Sequence, residues 1–146
     1  ETLPKEKIQP FDGVQEALAR AHEVADVAVV SSANREAVLD EWDKYHLLGH
    51  TDVVLTQDAG SKAFCIGALL ERGYEPGHVL MCGDAVGDLE ASEKNGIYYF
   101  PILVRREDES WKQFVTEGLP HLLAETFGGR YQQEQIEKFL NNLNGR

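Results

Sequence analysis

Apolar and polar positions alternate along this chain in a way that spells strand, turn, helix several times over. Val14, Leu18 and Ala21 recur at helical spacing as far as about His22, behind an acid-x-x-Gln start at Asp12-Gly13-Val14-Gln15. The run from Val24 to Ser32 is β-branched and scarcely alternates, as in a parallel strand covered on both faces. Asn34 is placed to cap a second helix carrying Val38, Leu39, Trp42 and Tyr45 and stopping near Gly49. A strand over 52–56, a turn through Asp58-Ala59-Gly60-Ser61 and a helix over 62–72 ending at Gly73 repeat the unit. After the Pro76-Gly77 break, a strand over 79–82, a loop over 83–88, a helix over about 86–95 closed by Gly96 and a strand over 97–100 complete it.

Beyond Pro101 only helical patterns remain, with Trp111, Phe114 and Val115, then Leu122, Leu123 and Phe127, then Ile136, Phe139, Leu140 and Leu143 as apolar stripes. Gly118-Leu119-Pro120 and Gly128-Gly129 separate them, and the aromatic residues read as core or interface rather than as a stacking platform. Strands alternating with helices predict an α/β fold, a Rossmann-like three-layer sandwich with a mainly parallel sheet and C-terminal helices. The organisation expected is a linker over 1–10, a core over 11–104 and a helical extension of the same domain over 105–146.

The 146 residues suit one domain, and 42% apolar with 27% charged residues is a globular composition. Acids outnumber bases 25 to 14, a formal charge of −11 that opposes nucleic acid as a partner. No apolar run is long enough to span a bilayer and nothing at the start reads as a signal peptide, so no membrane partner is expected. The first residue is Glu1 rather than Met, so a native start further upstream is expected. Cys65 and Cys82 lack metal or redox spacing and read as buried thiols in a reducing cytoplasm. His46 and His50, four apart across Leu48-Gly49, read as a helix end rather than a metal site.

In open α/β sheets ligands bind beyond the carboxyl ends of the strands, which directs attention to Ser31-Ser32, Lys62 and the loop Gly83-Asp84-Ala85-Val86-Gly87-Asp88. Asp84 and Asp88 can bring two carboxylates to one helix start, where a hard cation such as Mg2+ would relieve their repulsion. The plainer alternative is that Asp84 caps the helix and Asp88 gains from its dipole. Lys62 opens a helix, where the dipole disfavours a cation; the misfit suits a group that neutralises a phosphoryl oxygen, or a solvated surface lysine. Ser31 can offer its hydroxyl and the next N–H to an anion, or simply close a turn.

Taken in order, Val-Ala-Val-Val-Ser-Ser-Ala-Asn, then Lys62, then Met-Cys-Gly-Asp-Ala-Val-Gly-Asp, the chain from about Pro10 to Ile102 resembles the haloacid dehalogenase superfamily, whose members are mostly Mg2+-dependent phosphohydrolases. The resemblance implies that Ser31, or Ser32, binds the transferring phosphoryl group of a small phosphorylated metabolite. It further implies that Lys62 stabilises charge, Asp84 binds Mg2+ and Asp88 supports that metal. Two departures stand out. Ala63 replaces the usual proline after the lysine, and the first motif, Asp-x-Asp on a central strand, is absent; the family's aspartyl-phosphate forms on its first carboxylate.

Without that strand the sheet would have unpaired edges at its centre. The expectation is therefore a fragment of a phosphohydrolase, inactive alone, with a missing N-terminal segment or another chain completing the sheet, or else the two edges pairing directly. The rival is a noncatalytic phosphate- or metal-binding or assembly module that keeps the fold. A receiver-type signalling domain fits less well, since no acidic pair or phosphoacceptor strand precedes Ser31.

Overall fold

A computed structural model describes residues 13–144 of the chain. The linker expected over 1–10 and the capping role of Asp12 lie outside the described residues. Helix α1 (Val14–Val24) begins at Gly13, whose φ of 91° is left-handed and suits a residue without a Cβ. It continues past His22 because the backbone N–H groups keep their helical acceptors as far as Ala25, which donates to Ala21 O at 2.8 Å. The strand expected from Val24 therefore shrinks to β1 (Ala28–Val30), and only Val29 within it is buried. A strand covered on both faces is not what these residues form.

Helix α2 (Arg35–Lys44) carries the expected cap: Ala37 N donates to Asn34 Oδ1 at 2.9 Å. It ends before Gly49, because the backbone turns left-handed at His46 (φ 62°). Then β2 (Val53–Leu55) lies parallel to β1, with Ala28 opposite Val53 and Val30 opposite Leu55. A short 3-10 turn follows. Helix α3 (Lys62–Leu70) is capped by Ser61, whose hydroxyl accepts from Phe64 N at 3.1 Å.

The second half repeats the pattern. Strand β3 (Leu80–Gly83) leads into α4 (Val86–Asn95), which Gly96 closes at φ 68°, and β4 (Tyr98–Pro101) runs parallel to β3 with Gly83 opposite Pro101. The single sheet expected from the sequence is thus two parallel two-stranded ladders, β1–β2 and β3–β4. Among the described residues no ladder joins one pair to the other, so β1 and β3 do not pair directly as one alternative required.

The C-terminal helices do not break at Gly118-Leu119-Pro120. Helix α5 (Glu107–Gln113) passes into a π-helical turn (Phe114–Gly118) and on into α6 (Leu119–Leu123). Pro120 has no N–H to return to the preceding turn, and the wider π turn just ahead of it takes up that interruption. Gly118 is small for a reason: a Cβ there would sit 3.0 Å from the Phe100 ring. Helix α7 (Arg130–Leu143) follows.

These helices and β4 make most of the core. Phe100, Ile102, Phe114, Leu119 and Phe127 pack together with Ala17 of α1, and Trp111 lies against them. Leu89, Tyr99, Leu103 and Phe139 form a second cluster, and Ile66, Ala91 and Ile97 hold α3 to α4. The alternation of β4 divides Tyr99 from Phe100 between the first two clusters. Trp111, Phe114 and Phe127 are packing residues, as their spacing suggested. Among the described residues no helix is long and apolar enough to cross a membrane.

Candidate functional site

The turn from β3 into α4 is organised by Asp88. Its side chain folds back over the start of the helix, and Oδ2 accepts from Asp84 N at 3.1 Å and Ala85 N at 3.2 Å. Helix starts leave such N–H groups without intrahelical partners, and Ala85, the residue at the cap position, has no acceptor to offer them. Capping therefore falls to Asp88, not to Asp84 as the plainer alternative had it. The other oxygen, Oδ1, accepts from Lys62 Nζ at 2.5 Å, in an ion pair whose carboxylate is 4% and whose ammonium-bearing side chain is 29% exposed.

Neighbouring residues fit around this carboxylate. Gly83 has no room for a side chain, since a Cβ there would lie 2.3 Å from Asp88 Oδ2. Gly83 O accepts from Tyr99 Oη and from Ile102 N, both at 2.8 Å. Ser92 Oγ donates to Asp88 O at 2.9 Å. At the far end of the α3–α4 contact, Asn95 Nδ2 donates to Ala63 O and Ala91 O, both at 3.0 Å. The unfavourable position of Lys62 at a helix start is offset by its partner on the neighbouring helix.

Asp84 is different. It is exposed, and its carboxylate makes no hydrogen bond or ion pair among the described residues. It is the oxygen donor left over at a site whose other carboxylate is fully engaged. Mg2+ commonly takes one or two carboxylates and fills its octahedron with water, so Asp84 suits direct contact and Asp88 suits support from behind. Among the described residues no group of three His, Cys, Asp or Glu side chains is gathered as a metal cage, at His46 and His50 or elsewhere.

Ser31 closes β1. Its N–H donates to Leu55 O at 2.9 Å, and its hydroxyl accepts from Ala33 N at 3.1 Å, the geometry of a serine turn. Ser32 is exposed. Among the described residues neither serine is hydrogen-bonded to Lys62, Asp84 or Asp88. Helix α3, which starts at Lys62, contacts both β1 and α4 and so links the two ladders.

An open cleft of about 320 Å³ is lined by Asn34, Arg35, Glu36, Gln57 and Asp58. Arg35 Nη1 donates to Val54 O at 3.0 Å, and Thr56 Oγ1 donates to Asp58 Oδ1 at 2.6 Å. The Thr56 hydroxyl, the local backbone N–H and Arg35 hold the Asp58 carboxyl below its usual range. Sequence reasoning gave Asn34 a cap and Asp58 a turn and passed over the cleft they line with Arg35, although a polar stretch directly after an apolar strand was a signal for it. Both cysteines are free thiols, and burial raises each, Cys82 to about 12, which leaves no thiolate nucleophile near neutral pH.

The family model described as haloacid dehalogenase-like hydrolase matches residues 1–102. The chain belongs to that family. No curated protein matches it. The matched span holds Ser31, Lys62, Asp84 and Asp88, and it stops before the helices from α5 onward. In this haloacid dehalogenase-like chain, then, the cover of β4 comes partly from within the matched span, through Ala17 and Leu89, and partly from beyond it, through Phe114, Leu119, Phe127 and Phe139, while Ser31, Lys62, Asp84 and Asp88 all come from within it.

Proposed function

We propose that this chain carries the metal- and phosphate-binding half of a Mg2+-dependent phosphohydrolase acting on a small phosphorylated metabolite in the cytoplasm. Asp84 would hold the ion, Asp88 would fix the loop behind it, Lys62 would offset phosphoryl charge, and Ser31 or Ser32 would bind the phosphoryl oxygens. The ion would supply charge stabilisation at the transferring group. The observation that carries this reading is the Lys62–Asp88 pair, which clamps the loop while leaving the Asp84 carboxylate without a partner among the described residues.

The nucleophilic carboxylate that would form the aspartyl-phosphate is proposed to lie on a strand supplied from outside the described residues, by an upstream segment or another chain. Two features support a strand position between β1 and β3. Among the described residues no strand joins the ladders, and every residue of β3 is only half-buried, although parallel strands are ordinarily covered on both faces. The serine-turn geometry of Ser31 favours the second reading, a noncatalytic module that keeps the fold.

Mg2+ titration followed by calorimetry, with phosphate present, tests the binding role: a saturable response absent from Asp84→Asn supports it, and no response in the parent chain removes it. The same chain should not turn over a generic phosphate ester with Mg2+. Steady turnover abolished by Asp84→Asn would show that no outside nucleophile is needed.

A further inference from the structure

Tyr99 takes no part in the roles assigned above, yet it reaches the same loop. The residue is 1% exposed, in the middle of β4. Its hydroxyl donates to Gly83 O at 2.8 Å, alongside the ladder bond from Ile102 N to the same oxygen. The other end of that peptide unit, Asp84 N, donates to Asp88 Oδ2. The Gly83–Asp84 peptide is thus held at its oxygen by β4 and at its N–H by α4, and Asp84 leaves the backbone from the end of this fixed plane. A carbonyl has no proton to give, so the phenol must donate, and burial together with the nearby Asp88 and Asp84 carboxylates keeps it protonated.

The tyrosine is in turn located by the last helix. Gln132 Oε1 of α7 accepts from Tyr99 N at 2.8 Å, and the Phe139 ring of α7 meets the Tyr99 ring edge-on at 5.3 Å between centroids. We infer that Tyr99 is a positioning residue, through which α7 sets the direction in which Asp84 is presented to an ion. The inference rests on the proposed role of Asp84, but its geometric half stands apart from that role. A tyrosine kept only for packing would need the ring and not the hydroxyl.

Tyr99→Phe keeps the ring against Phe139 and removes the one bond. In amide hydrogen exchange on the chain, Asp84 and Ala85 should exchange about threefold to tenfold faster in the variant, the range expected for one neutral hydrogen bond, with the rest of β3 and β4 unchanged. Unchanged exchange at both amides, or a uniform loss of protection along β3 and β4, overturns the inference. Mg2+ titration of the two proteins, read from the Asp84 amide resonance, adds the functional half: weaker binding in Tyr99→Phe by a similar factor supports it, and equal affinity overturns it. A parent chain whose Asp84 resonance ignores Mg2+ overturns the ion-presenting role together with the proposed function, while the exchange result still decides whether Tyr99 fixes the loop.

Discussion

The two ladders are both two-stranded and parallel, but they are buried in different ways. Around β4, side chains from α1, α4 and all the C-terminal helices close in, and Tyr99, Phe100 and Pro101 are buried. None of the three apolar clusters contains a residue of β1, β2 or α2. In β1 and β2 only Val29 is buried, and no residue of β2 is. The difference shows where this chain gets its stability. One ladder is completed by the helices that follow it, whereas among the described residues the ladder bearing Ser31 contacts α3 but contributes to none of the three clusters.

The sharpest test of that contrast compares truncations in the two ladders. Phe100→Ala removes a ring that meets both Phe114 and Phe127 edge-on, and it should cost about 3–5 kcal/mol in urea unfolding. Val29→Ala removes the one buried side chain of β1, and about 1–2 kcal/mol is expected. Equal losses would mean that the two halves share one core, and the contrast would fail.

A smaller effect is expected where the halves are linked. Lys62 and Asp88 join α3, which touches β1, to α4, which packs on β3 and β4. Lys62→Met keeps the length of the side chain and leaves a buried carboxylate with only its two N–H donors. Because Lys62 is partly exposed, the loss should fall below that of a fully buried pair, about 2–3 kcal/mol. Asp88→Asn with Lys62→Met should restore part of it, since the unpaired charge is then gone. A Lys62→Met variant as stable as the parent would show that water already satisfies Asp88.

Legibility in the sequence followed the same division. Asn34, Gly96 and the strand–helix alternation were readable because caps, glycines and apolar runs act locally. The limits of β1 were not: Val24 is apolar enough for a strand, but the helical bond from Ala25 N to Ala21 O holds it in α1. Continuity through Pro120 depends on a π turn that no local signal announces. At the site, Lys62, Asp84 and Asp88 stood out as charges at strand ends, yet their division of labour depends on α3 lying against α4. Tyr99 was invisible because a strand tyrosine reads as packing until its hydroxyl is placed on Gly83 O.

The smallest effect concerns a second link between the halves. His22 lies in the last turn of α1, whose Ala17 belongs to the aromatic core, and its Nε2 lies 3.1 Å from Oδ1 of Asp52, just ahead of β2. Val27 N donates to the other oxygen of Asp52 at 2.7 Å. That backbone bond first, and His22 second, hold the Asp52 carboxyl below its ordinary 3.8. In the unfolded chain the group takes its proton near 3.8, and in the folded protein only at lower pH. Between those values the unfolded state binds more protons, so stability rises with pH across the interval; the contribution is complete above it and vanishes below the folded value. Thermal melting of the parent and of Asp52→Asn from about pH 6 down to about pH 2 should therefore give curves that converge toward the acid end, the variant showing the flatter slope. Parallel curves would mean that the carboxylate is as well satisfied by water in the unfolded chain as by Val27 and His22 in the fold, and α1 would then be tied to the β1–β2 ladder by some other contact.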